Sequence, residues 1–232
     1  MLPIRDTIRS RTFPIVNLLI ILANGAAFFF ELIMPYDLLQ EFIMLFGLVP
    51  AELSVFNPLS WIQIFSHMFL HGGWFHFLSN MWTLFIFGDN VEDRMGSGRY
   101  LFFYIIGGVA SGLTQAFFSP NSSIPAIGAS GAIAAVMGAY FFLFPRARVI
   151  TLIPVFIIPW FVEIPALIYL GFWFVTQLFS GFLSLQSIES MQVGGVAWFA
   201  HIGGFVFGLL FVSLFLVKKP KRRTYADEYY PW

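Results

Sequence analysis

Long apolar segments separated by short polar ones dominate the chain. A helix needs about 20 mostly apolar residues to cross a bilayer, and we interpret six segments as membrane-spanning helices. They are predicted at Ile15–Met34, Trp74–Phe87, Tyr100–Phe118, Gly128–Phe144, after Glu163 as far as Phe182, and Val196–Val217. The predicted fold is therefore an all-α polytopic membrane protein, a bundle of six transmembrane helices.

The segments between these helices are predicted to be loops. Pro35–Ser60 is mixed in composition and is expected to be an outer loop with some amphipathic character, which Trp61–Gly73 continues into the membrane interface. Three prolines, starting at Pro154, interrupt the apolar stretch that follows Arg148. Because proline interrupts helices, we expect Val149–Phe161 to be irregular or interfacial.

The positive charges are distributed asymmetrically. All 12 Lys and Arg lie before the first helix, in Gly88–Arg99, in Pro145–Arg148, or after the last helix. With six spans these four places share one side, and Lys and Arg concentrate on the cytoplasmic side, so both termini are predicted to be cytoplasmic. The expected organisation is a cytoplasmic N-terminal segment (1–14), a six-helix core (15–217) and a cytoplasmic basic tail (218–232).

Composition narrows the class of protein. Hydrophobic residues make up 59% of the chain and charged residues only 10%, as expected of an integral membrane protein. The absence of Cys excludes disulfides, thiol catalysis and cysteine-ligated metals. No basic run accompanies an aromatic stacking platform, so nucleic-acid binding is not predicted, nor is a cofactor or a metal. The first helix follows basic residues, as in a signal peptide, but it is long and no cleavage site follows, so we expect it to be retained.

Polar side chains at membrane depth are costly, which makes them functional candidates. In the six-helix topology, helices two, four and six enter from the outer face. His76 and Asn80 on helix two, Ser130 on helix four and His201 on helix six then lie at one depth. Ser130 is surrounded by glycine and alanine, which would let a substrate approach. Small residues also let membrane helices pack closely, so on spacing alone the serine could be a packing position.

The pairing of Ser130 with His201 would supply a nucleophile and a base. The imidazole must come within about 2.6–3.2 Å of the hydroxyl to take its proton. Gly204 and Gly208, on the same face of helix six as His201, form a close-packing pattern that would allow this approach. No acid lies at matching depth, so the sequence predicts a Ser–His dyad rather than a triad.

His76 and Asn80 are four residues apart and share one helix face. Attack on an amide develops negative charge on its carbonyl oxygen, which preorganised donors stabilise. The Asn80 amide, a His76 ring N–H and the Ser130 backbone N–H are candidate donors. Taken singly, His76 or Asn80 could instead hold helices together by hydrogen bonds.

Three further polar residues have structural interpretations. His67 and His71 have a spacing that could share a metal, but without a neighbouring acid or cysteine a structural role in the outer loop is favoured. Glu92, paired with Arg94 or Arg99, is expected to anchor a cytoplasmic loop.

Four motifs in this chain resemble the signature set of the rhomboid family of intramembrane serine proteases. They are His71-Gly-Gly-Trp-Phe-His76-Phe-Leu-Ser-Asn80-Met, Phe87-Gly-Asp-Asn-Val-Glu92, Gly128-Ala-Ser130-Gly131 and Ala200-His201-Ile-Gly-Gly204-Phe-Val-Phe-Gly208. The resemblance implies that Ser130 is the nucleophile, His201 the base, and His76 and Asn80 the oxyanion-stabilising residues. It also implies a water-filled cavity open to the outer side and lateral entry of a substrate helix beside helix five. The Trp-Arg pair that many members carry in the first loop is absent, since Ile62 follows Trp61.

The expected function is cleavage, within the lipid bilayer of a prokaryotic plasma membrane, of single-span membrane proteins in or near their transmembrane segments. One alternative is a catalytically silent rhomboid-like protein that binds clients without cutting them. Another is a transporter, which would need an intramembrane acid, and only Glu31 and Glu163 approach that role. The sequence does not indicate an oligomeric state.

Overall fold

The computed structural model describes residues 2–155, 158–186 and 196–217. Within these ranges the chain forms eight α-helices, three β-strands and two short 3-10 turns. The helices are α1 Ile15–Leu32, α2 Tyr36–Phe46, α3 Pro58–Ser66, α4 Trp74–Met95, α5 Ser97–Phe118, α6 Ser130–Leu143, α7 Ala166–Gln186 and α8 Trp198–Phe215. The strands are β1 Leu2–Asp6, β2 Arg148–Val155 and β3 Ile158–Pro165, and the 3-10 turns are Pro50–Glu52 and His67–Phe69.

Helix α6 is the centre of the bundle. Every residue from Gly131 to Tyr140 is buried, and the helix packs against α4, α5, α7 and α8. A helix that is apolar on all sides is stable only when neighbours surround it. The small side chains of α6 allow those neighbours to approach closely, so the residue at its start, Ser130, is held by several elements at once.

The chain is an integral, multi-pass membrane protein. In its described part, α1, α5, α7 and α8 are long and apolar enough to cross a bilayer. Helix α6 is apolar but has only 14 residues, a length of about 21 Å. Helix α4 has 22 residues, many of them polar. The predicted total of six spans therefore depends on α4 and α6, the two helices that carry His76, Asn80 and Ser130.

The prediction that the fold is all-α is wrong between α6 and α7. The described residues of Val149–Phe161 belong to the antiparallel strands β2 and β3, and β1 pairs with β2 on the other side. Proline interrupts helices, but a strand tolerates it where no ladder bond is needed. Pro154 lies opposite Pro159 in the pairing of β2 with β3. The pairing of β2 with β1 ends at Leu152, so Pro154 lies beyond the part of β2 that pairs with β1.

The described helices also differ from prediction at their ends. Helix α4 continues two turns past Phe87 and ends at Gly96, whose φ is +75°, so most of Gly88–Arg99 is helical and not a loop. The outer loop Pro35–Ser60 contains α2 and the start of α3. Residues 187–195 of the loop predicted between Phe182 and Val196, and the basic tail 218–232, lie outside the described residues.

Glu92 anchors the start of α1, which corrects its expected pairing with arginine. Its buried carboxylate accepts hydrogen bonds from the backbone N–H groups of Val16 (3.1 Å) and Asn17 (2.8 Å). The first N–H groups of a helix have no intrahelical partner, and an anion there is favourable. Arg99 instead donates to the Leu216 carbonyl (2.6 Å), and the Arg94 guanidinium lies over the ring of Phe144.

Candidate active site

Ser130 is the first residue of α6, and the backbone before it is held in one conformation. Gly128 has a φ of +123°, in a region that favours glycine. Its N–H donates to the His67 carbonyl at 2.9 Å. The turn at Gly128 therefore directs the chain into α6 and fixes the position of the Ser130 backbone.

His201 lies at the start of α8 and meets Ser130 directly. The distance from His201 Nε2 to Ser130 Oγ is 2.7 Å, which is short enough for proton transfer between the two side chains. Close helix packing makes this approach possible: a side chain at Gly204 would overlap the carbonyl of Gly131, and one at Gly208 that of Ala135. The predicted close-packing role of these two glycines of α8 is confirmed.

The other ring nitrogen of His201 contacts a residue that the sequence analysis missed. Gln177 of α7 places its Oε1 2.8 Å from His201 Nδ1. The rings of Trp173 and Trp198 lie at 5.8 and 6.2 Å from the imidazole, centroid to centroid. The signal was present, since Gln177 is a polar residue inside an apolar helix and such residues are functional candidates.

His76 and Asn80 lie next to Gly128. The Gly72 N–H donates to His76 Nδ1 at 3.3 Å, so a neutral His76 ring carries its proton on Nε2. A side chain at Gly128 would overlap His76 Nε2, and Asn80 Nδ2 would lie 3.7 Å from its Cβ. Asn80 Nδ2 is buried and has no hydrogen-bond partner among the described residues. The Asn80 amide and the His76 Nε2–H therefore lie beside the backbone that leads into Ser130.

His67 and His71 make structural contacts. His67 Nδ1 lies 3.0 Å from the Gln63 carbonyl, and the backbone N–H of His71 donates to the Glu31 carboxylate. Burial lowers the pKa of each of the two histidines to about 4, which keeps both neutral at physiological pH. Among the residues that the structure describes, no three His, Cys, Asp or Glu side chains are grouped so that they could hold a metal.

Cavity size alone does not identify the site. A cavity of about 390 Å³ lies at the opposite end of the bundle and is lined by Arg9, Arg11 and Arg94 among others. A second cavity of about 250 Å³ is lined partly by Trp198 and Phe199, close to His201. The short contact between Ser130 and His201 is the more specific observation, because it joins two groups of defined chemistry.

The four candidate site residues lie in a part of the chain that matches a known protein family. The model of the rhomboid domain matches residues 58–218, well over half of the chain. The chain belongs to the rhomboid family. His76, Asn80, Ser130 and His201 all lie inside the matched region of this rhomboid.

Several curated rhomboids are similar to the chain at modest identity. "Rhomboid protein 1, mitochondrial" of Saccharomyces cerevisiae is 27% identical over 172 residues, which cover 71% of this chain and 46% of the yeast protein. "Rhomboid protease GluP" of Bacillus subtilis is 33% identical over 103 residues, 44% of this chain and 19% of that protein. "Rhomboid-like protease 5" of Toxoplasma gondii is 34% identical over 149 residues, 62% of this chain and 15% of that protein. The chain spans less than half the length of each of these three relatives, two of which are named proteases.

Proposed function

We propose that this rhomboid is an intramembrane serine endopeptidase that cleaves transmembrane segments of single-span membrane proteins. The observation that carries the proposal is the distance of 2.7 Å between Ser130 Oγ and His201 Nε2. Each side chain comes from a different helix, and glycine contacts hold the two helices together. A serine hydroxyl in contact with a neutral imidazole nitrogen is an activated nucleophile.

The proposed reaction proceeds by acyl transfer. His201 accepts the Ser130 proton as the hydroxyl oxygen attacks the scissile carbonyl carbon, and then gives that proton to the leaving amine. This leaves an ester between the substrate acyl group and Ser130. A water molecule, deprotonated by His201, hydrolyses the ester and releases the second product.

Asn80 and His76 are the proposed oxyanion donors. Asn80 Nδ2, which has no hydrogen-bond partner among the described residues, and the His76 Nε2 proton both lie beside Gly128, two residues before the nucleophile. Donors that are already oriented stabilise the developing charge without reorganisation, at roughly 3–4 kcal/mol for each one. The Ser130 backbone N–H, free of an intrahelical partner at the start of α6, is a third candidate.

The proposed topology has six spans with both termini cytoplasmic. The spans are the four helices long and apolar enough to cross a bilayer, together with α4 and α6. The positive charges support it, because all 12 Lys and Arg lie on one side in that arrangement. The proposed organisation remains a cytoplasmic segment (1–14), a core (15–217) and a basic tail (218–232). Location in a prokaryotic plasma membrane stays a prediction, since the relatives include proteins named mitochondrial and chloroplastic.

The proposed substrates have a locally weakened transmembrane helix. A spanning helix keeps its carbonyls in internal hydrogen bonds, so the scissile bond becomes accessible where Gly or Pro disturbs the helix. A small side chain before the cut would fit a nucleophile that is itself surrounded by Gly and Ala.

The proposal is tested by cleavage in liposomes of a single-span substrate with a Gly-rich transmembrane helix. We expect the parent to cut, and Ser130→Ala and His201→Ala to be silent while still folded. Ser79→Ala, which removes an exposed serine of α4, should cut like the parent. Cleavage by Ser130→Ala would disprove the assignment of the nucleophile. A parent that binds such substrates without cutting any would favour the client-binding alternative.

A further inference from the structure

We infer that Gln177 is a positioning residue that fixes the tautomer and orientation of His201. The inference rests on the proposed function, because it concerns the same Ser–His pair. It adds a third helix to the site: Ser130 comes from α6, His201 from α8 and Gln177 from α7. The pair predicted from sequence thus becomes a chain of three side chains.

The hydrogen bonds on α7 determine which way the Gln177 amide faces. Its Nε2 donates to the Trp173 carbonyl at 3.2 Å and to Thr176 Oγ1 at 3.0 Å. The reverse orientation would set the amide oxygen against the Trp173 carbonyl, and two acceptors cannot bond to each other. The amide oxygen therefore faces His201, with Oε1 2.8 Å from Nδ1.

This orientation decides the protonation of the imidazole. An amide oxygen only accepts, so Nδ1 of His201 must carry the hydrogen. A neutral ring then has its lone pair on Nε2, the nitrogen that lies 2.7 Å from Ser130 Oγ. That nitrogen can accept the serine proton, whereas the other tautomer would present an N–H to the hydroxyl and could not act as a base.

The contact between Gln177 and His201 is buried, so water cannot replace it. Gln177 is 5% exposed and His201 9% exposed, and Trp173 lies beside the imidazole. A buried amide is costly unless it is hydrogen-bonded, and both ends of this one are satisfied. A carboxylate in the same place would also orient the ring, but it would put a charge at membrane depth. Glutamine orients the base without that charge.

Three variants of the full chain separate positioning from structural support. Gln177→Leu removes the acceptor at nearly constant volume, and we expect kcat to fall roughly 10- to 100-fold with KM within about twofold of the parent. Gln177→Glu keeps an acceptor toward Nδ1 but sets its second oxygen against the Trp173 carbonyl, so its kcat should lie between those of Gln177→Leu and the parent. Thr176→Val removes one of the two acceptors of the amide N–H₂ and leaves the Trp173 carbonyl, so its effect should be much smaller.

Nitrogen-15 spectra of the histidine rings test the inference without any substrate. The chain has four histidines, so labelling histidine alone gives four ring systems, and His201→Gln identifies the signals of interest. In liposomes we expect parental His201 to be protonated at Nδ1 and free of hydrogen at Nε2. In Gln177→Leu the signals should move toward the Nε2-protonated tautomer, which dominates for free imidazole side chains.

The outcomes separate this inference from the proposed function. A parent with the Nδ1-protonated ring that cuts no substrate would contradict the proposed function and leave the positioning contact established. A parent that cuts, with unchanged kcat and unchanged ring signals in Gln177→Leu, would overturn the inference and leave the protease intact. An Nε2-protonated parental ring would also overturn it.

Discussion

Gly204 of α8 faces the backbone carbonyl of Gly131 in α6 so closely that a side chain at position 204 would overlap its oxygen. Gly131 directly follows Ser130, and Gly204 lies one turn after His201. This backbone contact therefore sets the separation of α6 and α8 at the level of the two proposed catalytic side chains.

A single methyl group at this contact is expected to disable the site. In Gly204→Ala the new methyl group must push α8 away from α6, which lengthens the distance from His201 Nε2 to Ser130 Oγ. We expect a fall in kcat of roughly 100-fold or more, as for the loss of general-base catalysis. Substrate cleavage in liposomes measures it.

Gly171→Ala provides the matched control for that substitution. It makes the same change inside α7, where the new Cβ would meet its nearest neighbour at an ordinary 3.7 Å. Activity should stay within about twofold of the parent, and stability should rise slightly, since Ala favours a helix over Gly by about 0.5–1 kcal/mol. Equal activity of the two variants would show that the glycine contact does not control the pair.

Sequence alone predicts much of this site because few polar side chains occur at membrane depth. That rarity marks Ser130, His201, His76 and Asn80 as candidates, and the structure brings Ser130 and His201 into contact. Gln177 is a candidate by the same rule, as a polar residue inside an apolar helix, but its pairing with His201 depends on contacts of its amide with α7 and α8 that the order of residues does not reveal.

The errors in the fold have a similar origin. Apolar content locates membrane helices well, but it does not separate an interrupted helix from a strand when prolines are present. The pairing of β1 with β2 joins residues far apart in the chain, such as Pro3 and Thr151, which are 148 positions apart, and a local pattern does not reveal it. Helix α4 continues beyond its apolar residues because it ends before Gly96 and not where its polar residues begin.

Removal of the Asn80 amide should affect catalysis more than folding. Because Asn80 Nδ2 has no described partner in the resting protein, Asn80→Ala breaks no existing hydrogen bond of that nitrogen. We expect kcat to fall roughly 100- to 1,000-fold, as for loss of an oxyanion donor, with little change in thermal stability. Cleavage kinetics and thermal unfolding in detergent measure the two effects.

Asn24→Ala is the control for a buried asparagine away from the site. Asn24 Nδ2 donates to the Ile20 carbonyl within α1. Its replacement should lower stability and leave kcat of the folded protein near the parental value. If Asn80→Ala behaved like Asn24→Ala, then Asn80 would be a structural residue.

Glu92 should contribute strongly to stability. Glu92→Ala leaves the N–H groups of Val16 and Asn17 without the carboxylate that they bond, at a cost of roughly 1–3 kcal/mol for a buried unsatisfied group. Glu163→Gln disrupts an exposed pair with Arg148, which is worth no more than about 1 kcal/mol. Unfolding in mixed detergent micelles should rank the two variants in that order. An equal effect would contradict the anchoring role of Glu92.

The stability of the protein should depend on pH through Asp6. Burial raises the pKa of the Asp6 carboxyl from 3.8 to about 6, against the opposing effect of the hydrogen bond from Tyr140. The folded protein thus holds this proton more tightly than the unfolded chain, so the stability that Asp6 contributes is greatest below pH 3.8 and declines as pH rises to about 6.

Thermal unfolding in detergent across this pH range tests the contribution of Asp6. Asp6→Asn cannot titrate and should make the decline smaller, while Asp37→Asn, in the exposed first turn of α2, should retain it in full. A decline that persists unchanged in Asp6→Asn would assign the pH dependence to another group.

The most direct test of the Ser130–His201 pair is covalent labelling with a fluorophosphonate, followed by mass spectrometry of the peptides. The Ser130 oxygen attacks phosphorus, fluoride leaves, and His201 accepts the proton. We predict a single adduct on Ser130 in the parent, and labelling at least about 100-fold slower in His201→Gln, which lacks the base. An adduct on another residue, or equal labelling of parent and His201→Gln, would contradict the account.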